Sequence, residues 1–381
     1  MSSHRIKEIT VFCSGDSSKK STWSSLPYNL TENLLSRGIK VNRVDICESE
    51  NAKWWFDRTI RRIARKIHPA TTYEYYRSLG HFWRTRQKIK IALKRYPHAD
   101  ANLFFTFSHS SAGLSDKPSI LLCDWTHHYN IAHFLGRAPD FFERGSIKRE
   151  GQVINRASLV VSTFPDVTDY MKSRYKNANV CYFGKGFWQM KTPVQSEIMP
   201  QKLMSKDILF IGNTRYREGA GSLISAYQKV KNDLPGIQLH IVGMRSEEFP
   251  NCPDGVHFYG FINKDIPKQE ELYYSLLKRA RVFVNTTPKL GSIGAMIESM
   301  QFFTPVIAVP EKYMLSYFGE RIEFGHYCMD NSLETLYSKI KAVLKANDYT
   351  SLCEKAHAAV SRYPKSNCVD QLLSKIIDCI H

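Results

Sequence analysis

The sequence lacks the features that mark membrane-spanning, secreted and metal-binding proteins. No run of about 18 apolar residues occurs in its 381 residues, which argues against a transmembrane helix. The N-terminal residues show no long apolar stretch and no small-residue cleavage site, so a signal peptide is not expected. None of the nine cysteines is spaced as Cys-x-x-Cys, so neither a disulfide framework nor a zinc site is expected. Together these absences predict a protein of the reducing cytoplasm.

The composition is that of a globular protein. Hydrophobic residues make up 43% of the chain and charged residues 23%, so the chain can bury a sizeable core. At about 100–200 residues per domain, the length favours two domains.

Acidic residues are scarce in one part of the chain. Residues 1–200 hold 31 basic and 17 acidic residues, a net charge of +14, whereas residues 201–381 carry only +3. Residues 53–95 alone hold 13 basic and 2 acidic residues. Such a local excess predicts a surface that binds phosphates, on nucleic acid, on anionic lipid or on a diphosphate-linked substrate.

Apolar strands alternate with helical patterns in both halves of the chain. In the first half, strands are predicted at residues 9–13, 40–45, 102–107, 120–123, 159–162 and 179–182. In the second half, they are predicted at residues 207–211, 238–242, 256–259, 281–284 and 305–309. This alternation predicts an α/β protein with two doubly wound, Rossmann-like domains.

The domain boundaries follow from the same pattern. We expect an N-terminal domain over residues 1–190, with two basic amphipathic helices inserted within residues 53–97. Residues 188–206 contain two prolines and no clear periodicity, which is typical of a linker. A C-terminal domain is expected over residues 206–364, and a final helix over residues 365–381 is expected to pack back on the first domain.

Glycine-bearing loops mark the ends of the strands in the second half. Gly212 and Gly243 each follow a strand, and residues 290–295 precede the helix that carries Glu298. Ligands of open α/β sheets bind at the carboxyl ends of strands, where helix N-termini present backbone amides. Arg215 and Arg217 lie in the first loop and suit a diphosphate, although they also fit ordinary surface arginines on a strand–helix turn.

The order of these segments along the chain resembles the C-terminal domain of the family 4 retaining glycosyltransferases. The segments are residues 208–219, 223–227, 240–243, 258–261, 280–285, 291–300 and 304–308. The resemblance is strongest over residues 206–345, and the first half fits more loosely, through Gly15 and residues 157–170. It implies the GT-B fold, in which two Rossmann-like domains face each other across a cleft.

The resemblance also implies a nucleotide-sugar site. Glu298 stands where the family holds the ribose hydroxyls, and Gly291, Ser292 and Ile293 match the loop that faces the donor. The complete set of candidate nucleotide-sugar-binding residues is Gly15, Gly212, Asn213, Arg215, Arg217, Gly243, Gly291, Ser292, Ile293 and Glu298.

The sequence departs from the family pattern at two places. Leu290 stands where the first glutamate of the pair is expected. Asn213 and Glu218 stand where the usual arginine and lysine around the diphosphate would fall, so Arg215 or Arg217 must substitute for them. These departures leave the donor sugar and the anomeric outcome open, and retain the nucleotide site.

Three polar residues after a strand of the first half are candidates for catalysis. Asp124, His127 and His128 could orient the acceptor hydroxyl or take its proton, or the histidines could be satisfied by nearby backbone. The sequence contains no Asp-x-Asp triplet, so neither a metal ion nor a cofactor is expected. Arginines and backbone amides would then stabilise the departing nucleotide diphosphate.

The sequence therefore predicts a metal-independent glycosyltransferase of the hexosyltransferase type. It would transfer a sugar from a UDP- or GDP-linked donor to a lipid-linked saccharide acceptor, with retention of the anomeric configuration. The product would belong to the synthesis of cell-envelope polysaccharide, lipopolysaccharide or glycolipid. The mixture of aromatic and basic residues at positions 54–95 suits an anionic membrane surface, which predicts a cytoplasmic protein that is peripheral on the inner face of the membrane.

Other interpretations remain open. Residues 53–95 could bind nucleic acid, although no recognisable nucleic-acid-binding motif accompanies them. A nucleotide-sugar epimerase or hydrolase, or a non-catalytic relative, could share the same fold. The basic helices could also simply pack their apolar sides on their own domain.

Overall fold

The computed structural model describes residues 5–47, 50–184, 186, 188, 191, 193–289 and 293–380, with the backbone alone at residue 50. The chain forms two compact units. Unit 1 comprises Met1–Gly184 and Ser366–His381, and unit 2 comprises Lys185–Lys365.

Unit 1 is built on a parallel six-stranded sheet. Its strands are β1 (Glu8–Cys13), β2 (Lys40–Asp45), β3 (Ala101–Phe104), β4 (Ser119–Cys123), β5 (Leu159–Ser162) and β6 (Val180–Tyr182), in the order β2-β1-β3-β4-β5-β6. The central strands β3 and β5 are buried at every residue, because helices cover both faces of a parallel sheet. The edge strand β2 is more exposed and carries charged residues, which discourage further strand pairing.

Eight α-helices belong to unit 1 within the described residues. They are α1 (Leu26–Ser36), α2 (Glu50–Arg58), α3 (Ile60–Ile67), α4 (Leu79–Arg95), α5 (His127–Tyr129), α6 (Phe141–Arg156), α7 (Pro165–Arg174) and, after unit 2, α15 (Ser366–Ile380). Helix α6 begins with a capping box, in which Asp140 and Glu143 each accept a hydrogen bond from the other's backbone amide. Helix α15 buries Val369, Leu372 and Ile376.

The basic segment folds into three helices rather than the two that the sequence predicts. Thr59 leaves the helical conformation and separates α2 from α3. Helix α4 packs Ile89 and Ala92 into the core of unit 1, as the packing alternative expects. Helix α3 buries only Ala64, and its isoleucines stay exposed. The packing alternative therefore describes α4 and does not describe α3.

Unit 2 is built on a second parallel six-stranded sheet. Its strands are β7 (Asp207–Ile211), β8 (Gln238–Val242), β9 (Val256–Phe258), β10 (Val282–Asn285), β11 (Val306–Ala308) and β12 (Gly325–Tyr327), in the order β12-β11-β10-β7-β8-β9. The helices are α8 (Gln195–Met204), α9 (Arg217–Asp233), α10 (Pro267–Arg279), α11 (Ile293–Gln301), α12 (Lys312–Phe318), α13 (Leu333–Leu344) and α14 (Tyr349–Ser361). This strand order is that of the doubly wound dinucleotide-binding fold.

Residues 195–204, which the sequence assigns to a linker, form helix α8 of unit 2. Lys202 anchors this helix, because its fully buried ammonium donates to the carbonyls of Leu277 and Ala280 at 3.0 and 2.7 Å and to the hydroxyl of Thr304 at 2.7 Å. Burial lowers the pKa of Lys202 to about 7. Lys202, together with the buried side chains of Ile198 and Met199, thus makes a segment with no clear periodicity part of the domain.

None of the helices in the described part of the chain is long and apolar enough to cross a membrane.

Candidate functional site

The strand order of unit 2 defines a switch point between β7 and β10. From β7 the chain moves to β8 on one side, and it later returns to β10 on the other side. In open α/β sheets, ligands bind outside the carboxyl ends of the two strands at such a point. The loops found there are residues 212–216, after β7, and residues 286–289, after β10.

Gly212 and Gly243 bring the loops after β7 and β8 into backbone contact. Gly243 has φ +97°, and a Cβ at this position would lie 2.5 Å from the carbonyl oxygen of Gly212. A Cβ at Gly212 would lie 2.8 Å from the side chain of Tyr216. Both predicted glycines are therefore required by close packing at the carboxyl edge of the sheet.

Helix α9 directs its N-terminus toward the switch point. A Cβ at Gly219 would lie 2.3 Å from the Thr287 hydroxyl, so the first turn of α9 packs closely on the loop after β10. The amide of Arg217 donates to the carbonyl of Thr214, and the cap residue Tyr216 offers no side-chain hydrogen bond to the amides that follow in α9. Such amides, together with the helix dipole, favour a bound anion.

Asn213, Arg215 and Arg217 lie around this helix start. The Asn213 side chain accepts a hydrogen bond of 3.0 Å from the backbone amide of Arg215. The guanidinium of Arg217 donates to the carbonyl of Glu248 at 2.6 Å and lies 5.7 Å from the centre of the Phe249 ring. Arg215 is exposed and has no ion-pair partner within the described ranges. Both arginines therefore flank the start of α9, and Arg217 is held by Glu248 and Phe249.

Glu298 lies on α11 and is buried, with 9% of its surface exposed. The hydroxyl of Tyr273 donates to its Oε2 at 2.7 Å. The ammonium of Lys264 lies 3.3 Å from Oε2 and 3.5 Å from Oε1. The carboxylate is therefore held in place, with hydrogen-bonding capacity left over, since it can accept about four bonds.

Part of the predicted donor loop lies outside the described residues. Leu290, Gly291 and Ser292 belong to this stretch. Ile293 is the first residue of α11 and is half-buried.

Gly15 occupies the equivalent switch point of the first sheet. The order of that sheet places β1 between β2 and β3, so the loop after β1 lies at the point where the direction of winding reverses. Gly15 has φ +101°, and its backbone amide donates to the carboxylate of Asp45 at 2.9 Å. The glycine therefore makes a fixed turn at the carboxyl edge of unit 1.

Asp124, His127 and His128 follow β4, but their side chains have different partners. The Thr163 hydroxyl donates to Asp124 at 2.6 Å, and His128 is hydrogen-bonded to the hydroxyl of Tyr170. His127 does not share these partners and is buried. The structure thus brings the three residues to one end of the sheet, with hydrogen-bond partners on different segments.

Both ring nitrogens of His127 are engaged with hydroxyl groups. Nδ1 lies 3.0 Å from Ser146 Oγ, and Nε2 lies 2.8 Å from Thr72 Oγ1. Burial lowers the pKa of His127 to about 3, so the ring is neutral at physiological pH. In this arrangement His127 holds neighbouring segments in place.

A buried ionic network that sequence reasoning missed surrounds His127. Glu143 has no exposed surface and pairs with Arg137 at 2.6 Å, while also accepting hydrogen bonds of 2.7 Å from the backbone amide and hydroxyl of Thr72. These bonds hold the pKa of Glu143 well below its usual range, against the effect of burial. Glu150 accepts from the backbone amide of His127 at 2.7 Å and pairs with Arg77 at 3.2 Å. The one sequence signal for this network was the capping-box spacing of Asp140 and Glu143.

Within the described ranges, no three His, Cys, Asp or Glu side chains are grouped so that they could hold a metal ion.

The sequence of the second unit matches a known family. Residues 205–345 match the family model described as glycosyl transferases group 1. This range agrees with the residues over which the sequence resemblance is strongest, and the resemblance is confirmed. No curated protein sequence matches the chain.

Solved structures align with nearly the whole chain at low sequence identity. Sucrose-phosphate synthase from Thermosynechococcus elongatus is 16% identical, with a TM-score of 0.65 over 96% of this chain and 97% of its own. HepE from Anabaena, in complex with UDP-glucose, is 14% identical, with a TM-score of 0.64 over 97% and 99%. WaaG, a glycosyltransferase involved in lipopolysaccharide biosynthesis, is 13% identical, with a TM-score of 0.64 over 97% and 99%.

These likenesses confirm the predicted fold class, the GT-B fold with two Rossmann-like domains. The family match adds that residues 205–345, within the second unit, are similar to the glycosyl transferases of group 1. The class of protein that fold and family support is a sugar transferase.

Proposed function

We propose that this protein transfers a sugar from a nucleotide-sugar donor bound at the carboxyl edge of the second sheet. The observation that carries the proposal is the conjunction of the start of α9, which Tyr216 does not cap with its side chain, with the buried carboxylate of Glu298. Both lie within the segment that matches group 1 glycosyl transferases. HepE, which shares the fold, was solved with UDP-glucose, and this supports a nucleotide sugar as the donor.

In this proposal each part of the donor meets complementary chemistry. Glu298 accepts hydrogen bonds from the ribose hydroxyls. The first amides of α9, with Arg217 and Arg215, bind the diphosphate and stabilise the charge that develops on it as the glycosidic bond breaks. The proposed stabilisation comes from amides and arginines and includes no metal ion.

The acceptor is proposed to bind at the carboxyl edge of the first sheet. Asp124 and His128 orient the acceptor hydroxyl there, and His127 acts as a positioning residue, since both of its ring nitrogens are engaged. The anomeric configuration is proposed to be retained, as in the family that the sequence resembles.

Helix α3 supports a membrane-bound acceptor. Its three isoleucines, Ile60, Ile63 and Ile67, recur at helical spacing and are 48%, 59% and 58% exposed. Arg62, Arg65 and Lys66 lie among them and have no ion-pair partner in the part of the chain that the structure describes. Exposed apolar side chains interleaved with unpaired cations fit the interface of an anionic bilayer.

We therefore propose a lipid-linked saccharide acceptor in cell-envelope polysaccharide, lipopolysaccharide or glycolipid synthesis, used by a peripheral protein at the cytoplasmic membrane face. The role of WaaG in lipopolysaccharide biosynthesis supports this pathway.

Thermal-shift measurements with UDP, GDP and their sugars test the donor site. A ligand at about 100 times its dissociation constant stabilises a protein by about 2.7 kcal/mol. Glu298→Ala should abolish this shift while its circular dichroism matches the parent, and Glu271→Ala, an exposed acid on α10, should retain it. Equal shifts in the parent and Glu298→Ala would contradict the site. Turnover of the nucleotide sugar without an acceptor would instead indicate an epimerase or hydrolase.

Vesicle co-sedimentation tests the membrane surface. The parent should bind anionic but not neutral vesicles at low salt. Replacing Arg62, Arg65 and Lys66 by Gln should weaken binding to anionic vesicles by roughly 1 kcal/mol per charge removed. The same change at Lys148, Lys172 and Lys176, exposed elsewhere on unit 1, should have little effect. Absence of vesicle binding, or tight binding to generic nucleic acid instead, would contradict the proposal.

A further inference from the structure

Three residues from different elements meet at the buried carboxylate of unit 2. Glu298 belongs to α11, Tyr273 to α10, and Lys264 to the loop before α10. The Lys264 ammonium lies 4.5 Å from the centre of the Tyr273 ring, and both residues contact the carboxylate of Glu298. Of these three residues, Glu298 is the one to which the sequence resemblance assigns a role.

Tyr273 fixes the carboxylate. Its hydroxyl donates to Oε2 at 2.7 Å, and burial together with the charge of Glu298 raises the pKa of Tyr273 well above its ordinary value. The phenol therefore remains a donor throughout the physiological pH range. Tyr273 thus occupies one acceptor position of Oε2, and burial together with the charge of Glu298 raises the pKa of the neighbouring Tyr274. A carboxylate accepts about four hydrogen bonds, so it has further positions for a ligand.

Lys264 is bound less tightly than an ion pair of this kind can be. Its contacts with the two carboxylate oxygens, 3.3 and 3.5 Å, exceed the 2.7–2.9 Å of charge-assisted hydrogen bonds. Among the described residues, Lys264 has no partner besides Glu298 and the Tyr273 ring. Its side chain is 17% exposed. An ammonium has three N–H donors, so donors remain for a ligand at the place where Glu298 offers acceptors.

We propose that Lys264 and Glu298 together recognise the vicinal hydroxyls of the donor ribose, which makes Lys264 a specificity residue of the donor site. The inference rests on the proposed function. Each ribose hydroxyl donates a hydrogen bond to the carboxylate of Glu298, and the oxygen of the same hydroxyl accepts a hydrogen bond from the ammonium of Lys264. A carboxylate alone would satisfy only the donor half of a hydroxyl, and the ammonium satisfies the acceptor half.

The charges around the pair favour a neutral diol over an anion. The carboxylate 3.3 Å from the ammonium offsets its charge, so a phosphate at this place would meet the negative charge of Glu298. A nucleotide without one of its ribose hydroxyls leaves a buried carboxylate and an ammonium without their ligand partner. Sites built to hydrogen-bond a hydroxyl reject analogues that lack it strongly.

Calorimetric titration with UDP, 2′-deoxy-UDP and 3′-deoxy-UDP, and with the corresponding guanosine nucleotides, tests the inference. The parent should bind a ribonucleotide at least about tenfold more tightly than one of its deoxy analogues. Lys264→Met should reduce this preference to less than about threefold. Lys268→Met removes a charge from a nearby exposed lysine and should leave the preference unchanged. Lys264→Gln, which keeps N–H donors, should retain part of it.

The outcomes separate the inference from the proposed function. If Lys264→Met binds ribonucleotides and keeps the preference of the parent, Lys264 does not read the ribose, and the donor site itself stands. If Lys264→Gln shows no more preference than Lys264→Met, the donor role of Lys264 is likewise overturned. If the parent binds no nucleoside diphosphate at all, the proposed function fails, and the assignment of Lys264 fails with it.

Discussion

The carboxyl edges of the two sheets are built in different ways. In unit 2, backbone meets backbone, because Gly243 approaches the carbonyl of Gly212 and Gly219 approaches Thr287. In unit 1, the same edge is filled by charged side chains, with Glu143 and Glu150 buried among arginines. The backbone edge leaves amides and one carboxylate for a ligand. The side-chain edge uses much of its hydrogen-bonding capacity on itself, so it holds its loops rigidly.

The largest expected effect comes from breaking the side-chain edge. Glu143→Gln removes the charge that pairs with Arg137 and leaves a partly buried guanidinium unpaired. Breaking a buried pair in this way costs about 3–5 kcal/mol. Urea unfolding followed by tryptophan fluorescence should show this loss, because five of the six tryptophans lie in unit 1.

A surface pair in the same unit provides the control. Glu32 pairs with Arg43 at 2.7 Å, and its side chain is 47% exposed. Glu32→Gln should cost no more than about 1 kcal/mol. Similar losses in both variants would mean that the network at the carboxyl edge of unit 1 is no more important than a surface ion pair.

An intermediate effect is expected at the backbone edge, and on binding rather than on stability. Arg217→Gln should weaken the binding of a nucleoside diphosphate by about 1.5–3 kcal/mol and leave the binding of the nucleoside unchanged, because in the proposed site only the diphosphate pairs with the guanidinium. Titration calorimetry measures both. Arg321→Gln, at an exposed position of unit 2, controls for net charge. An equal loss for diphosphate and nucleoside would show that Arg217 acts only through its bond to the Glu248 carbonyl.

The smallest effect concerns pH and unit 1. The pKa of His127 is about 3 in the folded protein and about 6.5 when unfolded, so between these values the unfolded chain binds more protons. The contribution of the neutral His127 to the free energy of unfolding is complete above about pH 6.5 and is lost as the pH falls toward 3. Between pH 6.5 and 5 the loss is about 2 kcal/mol.

Urea unfolding at several pH values checks this. His127→Gln should flatten the acid dependence, whereas replacement of the exposed His98 by Gln should leave it unchanged. An unchanged slope in His127→Gln would mean that the ring is not held neutral in the folded protein.

The difference between the edges also explains what the sequence could predict. A glycine that is needed for backbone contact leaves a local signal, since Gly212 and Gly243 each directly follow a strand. The strand pattern likewise predicted eleven of the twelve strands in the described residues, because most residues of the central strands are apolar. It missed β12 (Gly325–Tyr327), an edge strand of only three residues. The site residues taken from the family resemblance remain predictions.

Contacts between distant residues left no such signal. Glu143 meets Thr72 across 71 positions, and Lys202 meets Ala280 across 78. No local pattern predicts such pairs, so the network around His127 and the helix α8 were missed. Lys264 and Glu298 are 34 positions apart and escaped notice for the same reason.

Helix α15 has a consequence for the order in which the molecule can be made. Unit 2 is continuous in sequence, whereas unit 1 needs residues from both sides of it. During synthesis, domains fold largely as they emerge. Unit 2 can therefore complete its core while unit 1 still waits for Val369, Leu372 and Ile376. Until those side chains arrive, the nascent first domain presents an apolar surface that a chaperone can recognise.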